Sequence, residues 1–122
     1  MKILIVDDSK AMRMFLNHLV QALRFETALA EDGCDGLERL QATEGVGLVL
    51  VDWDMPRMNG LEFVKAVRAI PKFNEVKIMM VTTQNSMERV TAAIGAGATD
   101  FLMKPVSESS LTDKLRVLGA VE

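Results

Sequence analysis

Short runs of Val, Ile and Leu alternate with longer amphipathic stretches along this chain, and that alternation limits the possible folds more than any other feature. Residues 3–6 form an apolar run that stops at Asp7-Asp8. Residues 46–51 form a second, which stops at Asp52, and residues 76–81 a third, which stops at Thr82-Thr83. A weaker run over 98–103 stops at Lys104-Pro105, and 27–30 is a fifth candidate. Runs this short and this rich in aliphatic residues fit strands buried on both faces.

Helical spacing fills the intervals. Met12, Phe15, Leu16, Leu19 and Leu23 make one stripe, with Ser9 as its N-cap. A short helix over 35–41 presents Leu37 and Leu40. Leu61, Val64, Val67 and Ile70 make another stripe, begun by Asn59-Gly60 and ended before Pro71. Asn85 followed by Glu88 suits a capped start for a helix carrying Val90 and Ile94. The last helix presents Leu111, Leu115 and Leu118, with Ser107 as cap. Five strand–helix units imply an α/β fold, a parallel sheet covered by helices on both faces.

Composition narrows the class. The 122 residues suit one domain, and the single cysteine, Cys34, excludes an internal disulfide. A net charge of −3 argues against a nucleic-acid backbone as the main partner. No apolar run approaches the roughly 20 residues of a membrane span, and the N-terminal run is too short for a signal peptide. A cytoplasmic monomer is expected. The pattern shows no repeat, linker or second domain, so residues 1–122 are expected to stand without an output domain.

Each strong run ends in a residue with useful chemistry: Asp7 and Asp8, then Asp52 and Asp54, then Thr82, then Lys104. In an open parallel sheet, ligands bind outside the carboxyl ends of the strands. These residues, distant in sequence, are therefore expected to converge at one edge. Two like charges about 4 Å apart cost on the order of 4 kcal/mol at an effective dielectric of 20, so several carboxylates need a cation or raised pKa values. A few carboxylates with open positions suit Mg²⁺. With a lysine and a hydroxyl added, the set makes a phosphoryl-transfer site in which Asp52 can be the nucleophile.

Asp7-Asp8, Val51-Asp52-Trp53-Asp54-Met55-Pro56, Asn59-Gly60, Val81-Thr82 and Lys104-Pro105 together resemble the motif set of bacterial two-component response-regulator receiver domains, in order and over the whole chain. Trp53 and the segment from Asp8 to Arg13 resemble most the stand-alone chemotaxis receivers of the CheY type. The resemblance implies a flavodoxin-like, doubly wound sheet of strand order 2-1-3-4-5 with five helices. It implies that Asp52 accepts a phosphoryl group from a histidine kinase, and that Asp7, Asp8 and Asp52 hold Mg²⁺ with the backbone carbonyl of Asp54. It also implies that Lys104 contacts the phosphoryl group, that Thr82 and Phe101 act as switch residues, and that the Lys104–Pro105 bond is cis. The partner expected on the face of the fourth helix, fifth strand and fifth helix is a flagellar motor switch protein or another effector.

Three positions depart from the usual chemotaxis pattern. Phe101 lacks a hydroxyl, so burying its ring loses no hydrogen bond and its inward state is expected to be favoured. Asp54 adds a carboxylate near the site. Gln84 lies where relatives tune phosphoryl lifetime.

Other readings compete. A phosphorelay intermediate or phosphate sink would use the same site without an effector. Asp52-x-Asp54 also resembles the nucleophile motif of haloacid-dehalogenase-type phosphatases, but those place it after the first strand and the acidic pair late. A calcium loop is excluded because Arg57 stands where an EF-hand needs glycine. His18 lies off its helix's apolar stripe and is expected at the surface, and Cys34 is read as a small packed residue.

Overall fold

The alternating pattern becomes a single parallel sheet in a computed structural model that describes residues 1–83 and 87–120. Its strands are β1 (Lys2–Val6), β2 (Glu26–Ala30), β3 (Val46–Asp52), β4 (Lys77–Thr82) and β5 (Asp100–Met103). Its helices are α1 (Lys10–Ala22), α2 (Gly33–Ala42), α3 (Gly60–Arg68), α4 (Met87–Ala96) and α5 (Glu108–Val117), with one 3-10 turn at Pro71–Phe73. The sheet order is β2-β1-β3-β4-β5, with every pair parallel. This is the doubly wound order that the family resemblance implies. No helix among the described residues is long and apolar enough to cross a membrane.

Period-two alternation sorts the strand side chains into two layers. Leu4, Val6, Val49, Val51, Ile78 and Met80 pack with Phe63, Val64 and Val67 of α3 and Ala93 of α4. Ile3, Ile5, Leu48, Leu50, Met79 and Val81 pack on the other face with Leu16, Leu19 and Val20 of α1 and Leu111 and Leu115 of α5. Both faces of the central strands are thus closed to water, which is why they read as continuous apolar runs rather than alternating ones.

Several local expectations need correction. α2 begins two residues before the predicted Asp35, because the Asp32 side chain caps it by accepting from the Asp35 N–H at 2.8 Å. On α1, Phe15 is 42% exposed while Val20 is fully buried, so the inward stripe is rotated from the predicted one. On α3 the fully buried aromatic is Phe63, which the predicted stripe omitted. On α4, Ile94 is 46% exposed and the buried residue is Ala93. The predicted cap Asn85 lies outside the described residues. The caps at Ser9, Asn59 and Ser107 form as expected, the last two as reciprocal capping boxes with Glu62 and Ser110.

Candidate functional site

The register of the sheet brings the polar strand ends together. Val6 pairs with Val51, Asp52 with Val81, and Thr82 with Met103, so β1, β3, β4 and β5 finish at one edge. Backbone hydrogen bonds carry that alignment past the strands. The Asp7 N–H donates to the Ala30 carbonyl at 3.1 Å, Trp53 to Val81 at 3.2 Å, and Lys104 to Thr82 at 2.8 Å. Asp7, Asp8, Asp52, Thr82 and Lys104 therefore emerge at one end of the sheet, as the sequence pattern requires.

Three carboxylates cluster there. Asp7, Asp8 and Asp52 each offer an oxygen within 4.8 Å of the others. Asp7 and Asp52 are buried, and Asp8 is exposed. Asp7 Oδ1 accepts from the Ser9 N–H at 2.9 Å, but its Oδ2 is buried without a hydrogen-bond partner among the described residues. A buried acceptor left unsatisfied costs roughly 1–3 kcal/mol, which a bound cation would recover. Lys104 enters from beyond β5, and its Nζ donates to Asp52 Oδ1 at 3.2 Å. The Lys104–Pro105 bond is cis.

Burial and crowding set the titration of this cluster. Asp52 is pushed up to about 6, first by desolvation and then by the charge of Asp7, while Lys104 opposes the rise. Asp7 is also raised, mainly by desolvation, with the Ser9 N–H pulling the other way. The donor set is all oxygen, crowded and half-shielded from water, and it fits a hard divalent ion such as Mg²⁺.

α3 is seated directly on the Asp52 backbone. The Gly60 N–H donates to the Trp53 carbonyl at 2.8 Å. A Cβ at Gly60 would stand 2.6 Å from the Asp52 carbonyl oxygen and 2.9 Å from the Trp53 Cα. Glycine is thus required by close approach, and this role lies beyond the turn-and-helix-start reading of Asn59-Gly60.

The other predicted residues take distinct places. Thr82 is buried at the end of β4. Phe101 is half-buried on β5, packed against the core layer under α3 and α4, with Lys114 Nζ 4.8 Å from its ring centroid. The Asp54 side chain is exposed and stands outside the carboxylate cluster, paired with Arg89. Gln84 lies outside the described residues. His18 is exposed, and Cys34 is a half-buried free thiol.

Sequence reasoning missed a second anchor for the loop after Asp52. Arg57, at φ 65°, forms an ion pair with the buried Asp32. Asp32 is held below the usual carboxylate range by the Asp35 N–H and then by Arg57. An Asp three residues before another Asp was a visible helix-start signal, but its partner 25 residues away was not.

Comparison with known proteins decides the family. The profile described as "Response regulator receiver domain" matches residues 3–116. This chain is a response-regulator receiver domain. It is 40% identical over 119 residues to the chemotaxis protein CheY1 of Helicobacter pylori, covering 97% of this chain and 96% of the relative. It is 40% identical over 121 residues to the chemotaxis protein CheY homolog of Campylobacter jejuni, covering 98% and 93% respectively. Among solved structures, Vibrio cholerae CheY4 superposes with a TM-score of 0.90 at 35% identity, covering 95% of this chain and 96% of that one. The receiver is thus of the CheY chemotaxis type, within two-component signalling.

Proposed function

We propose that this receiver is a phosphoryl-accepting switch, in which Asp52 receives the phosphoryl group of a chemotaxis-type histidine kinase. The observation that carries this reading is the buried, unpartnered Asp7 Oδ2 in a three-carboxylate cluster that includes Asp52 and is flanked by Lys104. Asp7, Asp8 and Asp52, with the backbone carbonyl of Asp54, would hold Mg²⁺. When bound, the ion supplies positive charge against the three carboxylates and the transferring phosphoryl oxygens.

The chain's own residues do the rest. An Asp52 carboxylate oxygen attacks phosphorus in line, and the bond from phosphorus to the kinase's histidine nitrogen breaks. The imidazole leaves with that electron pair, and Asp52 becomes an aspartyl phosphate. Lys104 turns from the Asp52 carboxylate to the new phosphoryl oxygens. The Thr82 hydroxyl donates to the same group, and Phe101 moves inward behind it. Attack of water on the acyl phosphate releases inorganic phosphate and resets the switch. Small acyl phosphates serve as donors by the same route.

Output follows from the shift in conformational population that these two residues report. The surface of α4, β5 and α5 carries it, where Met87, Ile94 and Val117 stand exposed. The chemotaxis relatives support a flagellar motor switch protein as effector, with the receiver acting as a cytoplasmic monomer.

A phosphorylated chemotaxis-kinase domain, radiolabelled on its histidine, tests the reading directly. We expect label to pass to the wild-type receiver in Mg²⁺, and not after chelation or in Asp52→Asn. Labelling of Asp52→Asn at the wild-type rate would overturn the assignment. Binding of the labelled protein to a motor-switch peptide, absent for the unlabelled form, is the expected output. Equal binding of both forms would favour a phosphate sink.

A further inference from the structure

Arg89 lies in the first turn of α4, yet it reaches the two residues that follow Asp52. Its guanidinium carbon stands 4.9 Å from the centroid of the Trp53 ring, within the distance at which a cation is held by an aromatic face. Its Nη1 is 3.4 Å from both carboxylate oxygens of Asp54. Trp53 is only 9% exposed, and the Arg89 side chain is 27% exposed. A planar cation is therefore stacked on one residue of the loop and paired with the next.

Two features give this contact consequences. The apolar packing of α4 is sparse, with Ala93 its one buried residue among those described. A polar tether in its first turn therefore adds to what fixes that end of the helix. The site also already holds three crowded carboxylates. Asp54 brings a fourth within two residues of Asp52, and Arg89 neutralises it and draws it toward α4.

We propose that Arg89 is a positioning residue of the acceptor loop: stacked on Trp53 and paired with Asp54, it couples the placement of α4 to the rate at which Asp52 is loaded. This rests on Asp52 being the acceptor and adds the regulation of that site. An arriving phosphodonor is an anion, so an unpaired Asp54 two residues from Asp52 opposes it. In the loaded state, movement of α4 must break or rebuild the Arg89 contact, so the effector face and the loading rate act on each other.

A mutant cycle with Arg89→Ala, Asp54→Ala and the double variant tests the proposal, with Arg89→Lys and Asp52→Asn beside it. Two readouts apply: the initial rate of labelling by acetyl phosphate, and acrylamide quenching of Trp53 in metal-free protein. We expect Arg89→Ala to slow labelling about two- to fivefold, the scale of one exposed ion pair. The double variant should label within about twofold of Asp54→Ala, because the harm lies in the freed carboxylate. Quenching should rise in Arg89→Ala. Arg89→Lys should recover the labelling rate more than the quenching, because an ammonium keeps the charge without the planar stack. Wild-type labelling and quenching in Arg89→Ala would overturn the proposal. So would strictly multiplicative effects in the double variant, since the two residues would then act independently. A wild-type protein that takes no label overturns the acceptor reading itself. Label on the wild type with an unaltered Arg89→Ala overturns only the role of Arg89.

Discussion

Helices α3 and α4 follow neighbouring strands and lie side by side, but they are held in opposite ways. α3 begins in a reciprocal capping box of Asn59 and Glu62, presses Gly60 on the Asp52 backbone, and buries Phe63, Val64 and Val67. α4 buries Ala93, leaves Met87 75% and Ile94 46% exposed, and is tied at its first turn by Arg89. The helix beside Asp52 is thus fixed, and the helix that follows Thr82 is lightly held. A switch needs both. The proposed acceptor must keep its geometry, and the proposed reporting element must have a second position at low cost, as low-stability segments do.

The contrast breaks most visibly at Phe63. Phe63→Ala should lower stability by about 3–5 kcal/mol, the cost of emptying an aromatic site in a close-packed core. Urea unfolding measures this, and a loss below about 1 kcal/mol would mean that α3 is not the rigid partner.

Next in size is the effect of desolvation and crowding at Asp52. Asp52 sits near 6 rather than its ordinary 3.8. The folded protein therefore holds this proton over a range where the unfolded chain has released it. Stability of the metal-free protein should accordingly fall as pH rises from about 4 to about 6, by up to about 3 kcal/mol at 1.36 kcal/mol per unit. Asp52→Asn should flatten that slope and stabilise the metal-free protein at neutral pH. A slope of the opposite sign, followed by urea unfolding across the range, would contradict the desolvated, crowded site.

Smaller effects sharpen the comparison. Asn59→Ala removes the side chain that accepts from Glu62 N–H at 2.9 Å, and should cost about 1 kcal/mol. Ile94→Ser, on the exposed face of α4, should change stability by less than about 0.5 kcal/mol. It should nonetheless weaken binding of the phosphorylated protein to its effector, measured by fluorescence anisotropy of a labelled peptide. An Ile94→Ser protein that unfolds early would mean that α4 is packed as firmly as α3.

The same contrast explains what was legible in the sequence. Strands buried on both faces announce themselves, because Ile3 to Val6 and Leu48 to Val51 leave nothing polar in the run. The convergence of Asp7, Asp8, Asp52, Thr82 and Lys104 was legible because parallel strands in register end together. The inward faces of the helices were harder to read. α3 carries a broad apolar band, and its rotation is set by Gly60 meeting the Asp52 backbone, a tertiary fact. On α4 the apolar Val90 and Ile94 outnumber what the core accepts, and the small Ala93 fits the sheet instead. Arg57 with Asp32, and Arg89 with Asp54, pair across 25 and 35 residues. Neither pair leaves a local pattern, since the partners lie far apart in sequence and arginines and aspartates are common residues.

Trp53 is the single tryptophan and adjoins Asp52. Its fluorescence, followed during a Mg²⁺ titration and then on addition of acetyl phosphate, therefore tests the phosphoacceptor reading most directly. We expect a saturable response to Mg²⁺, then a further change with acetyl phosphate that is absent in Asp52→Asn and decays as the donor is exhausted. A second-phase change of equal size in Asp52→Asn, or no response to either addition in the wild type, would contradict it.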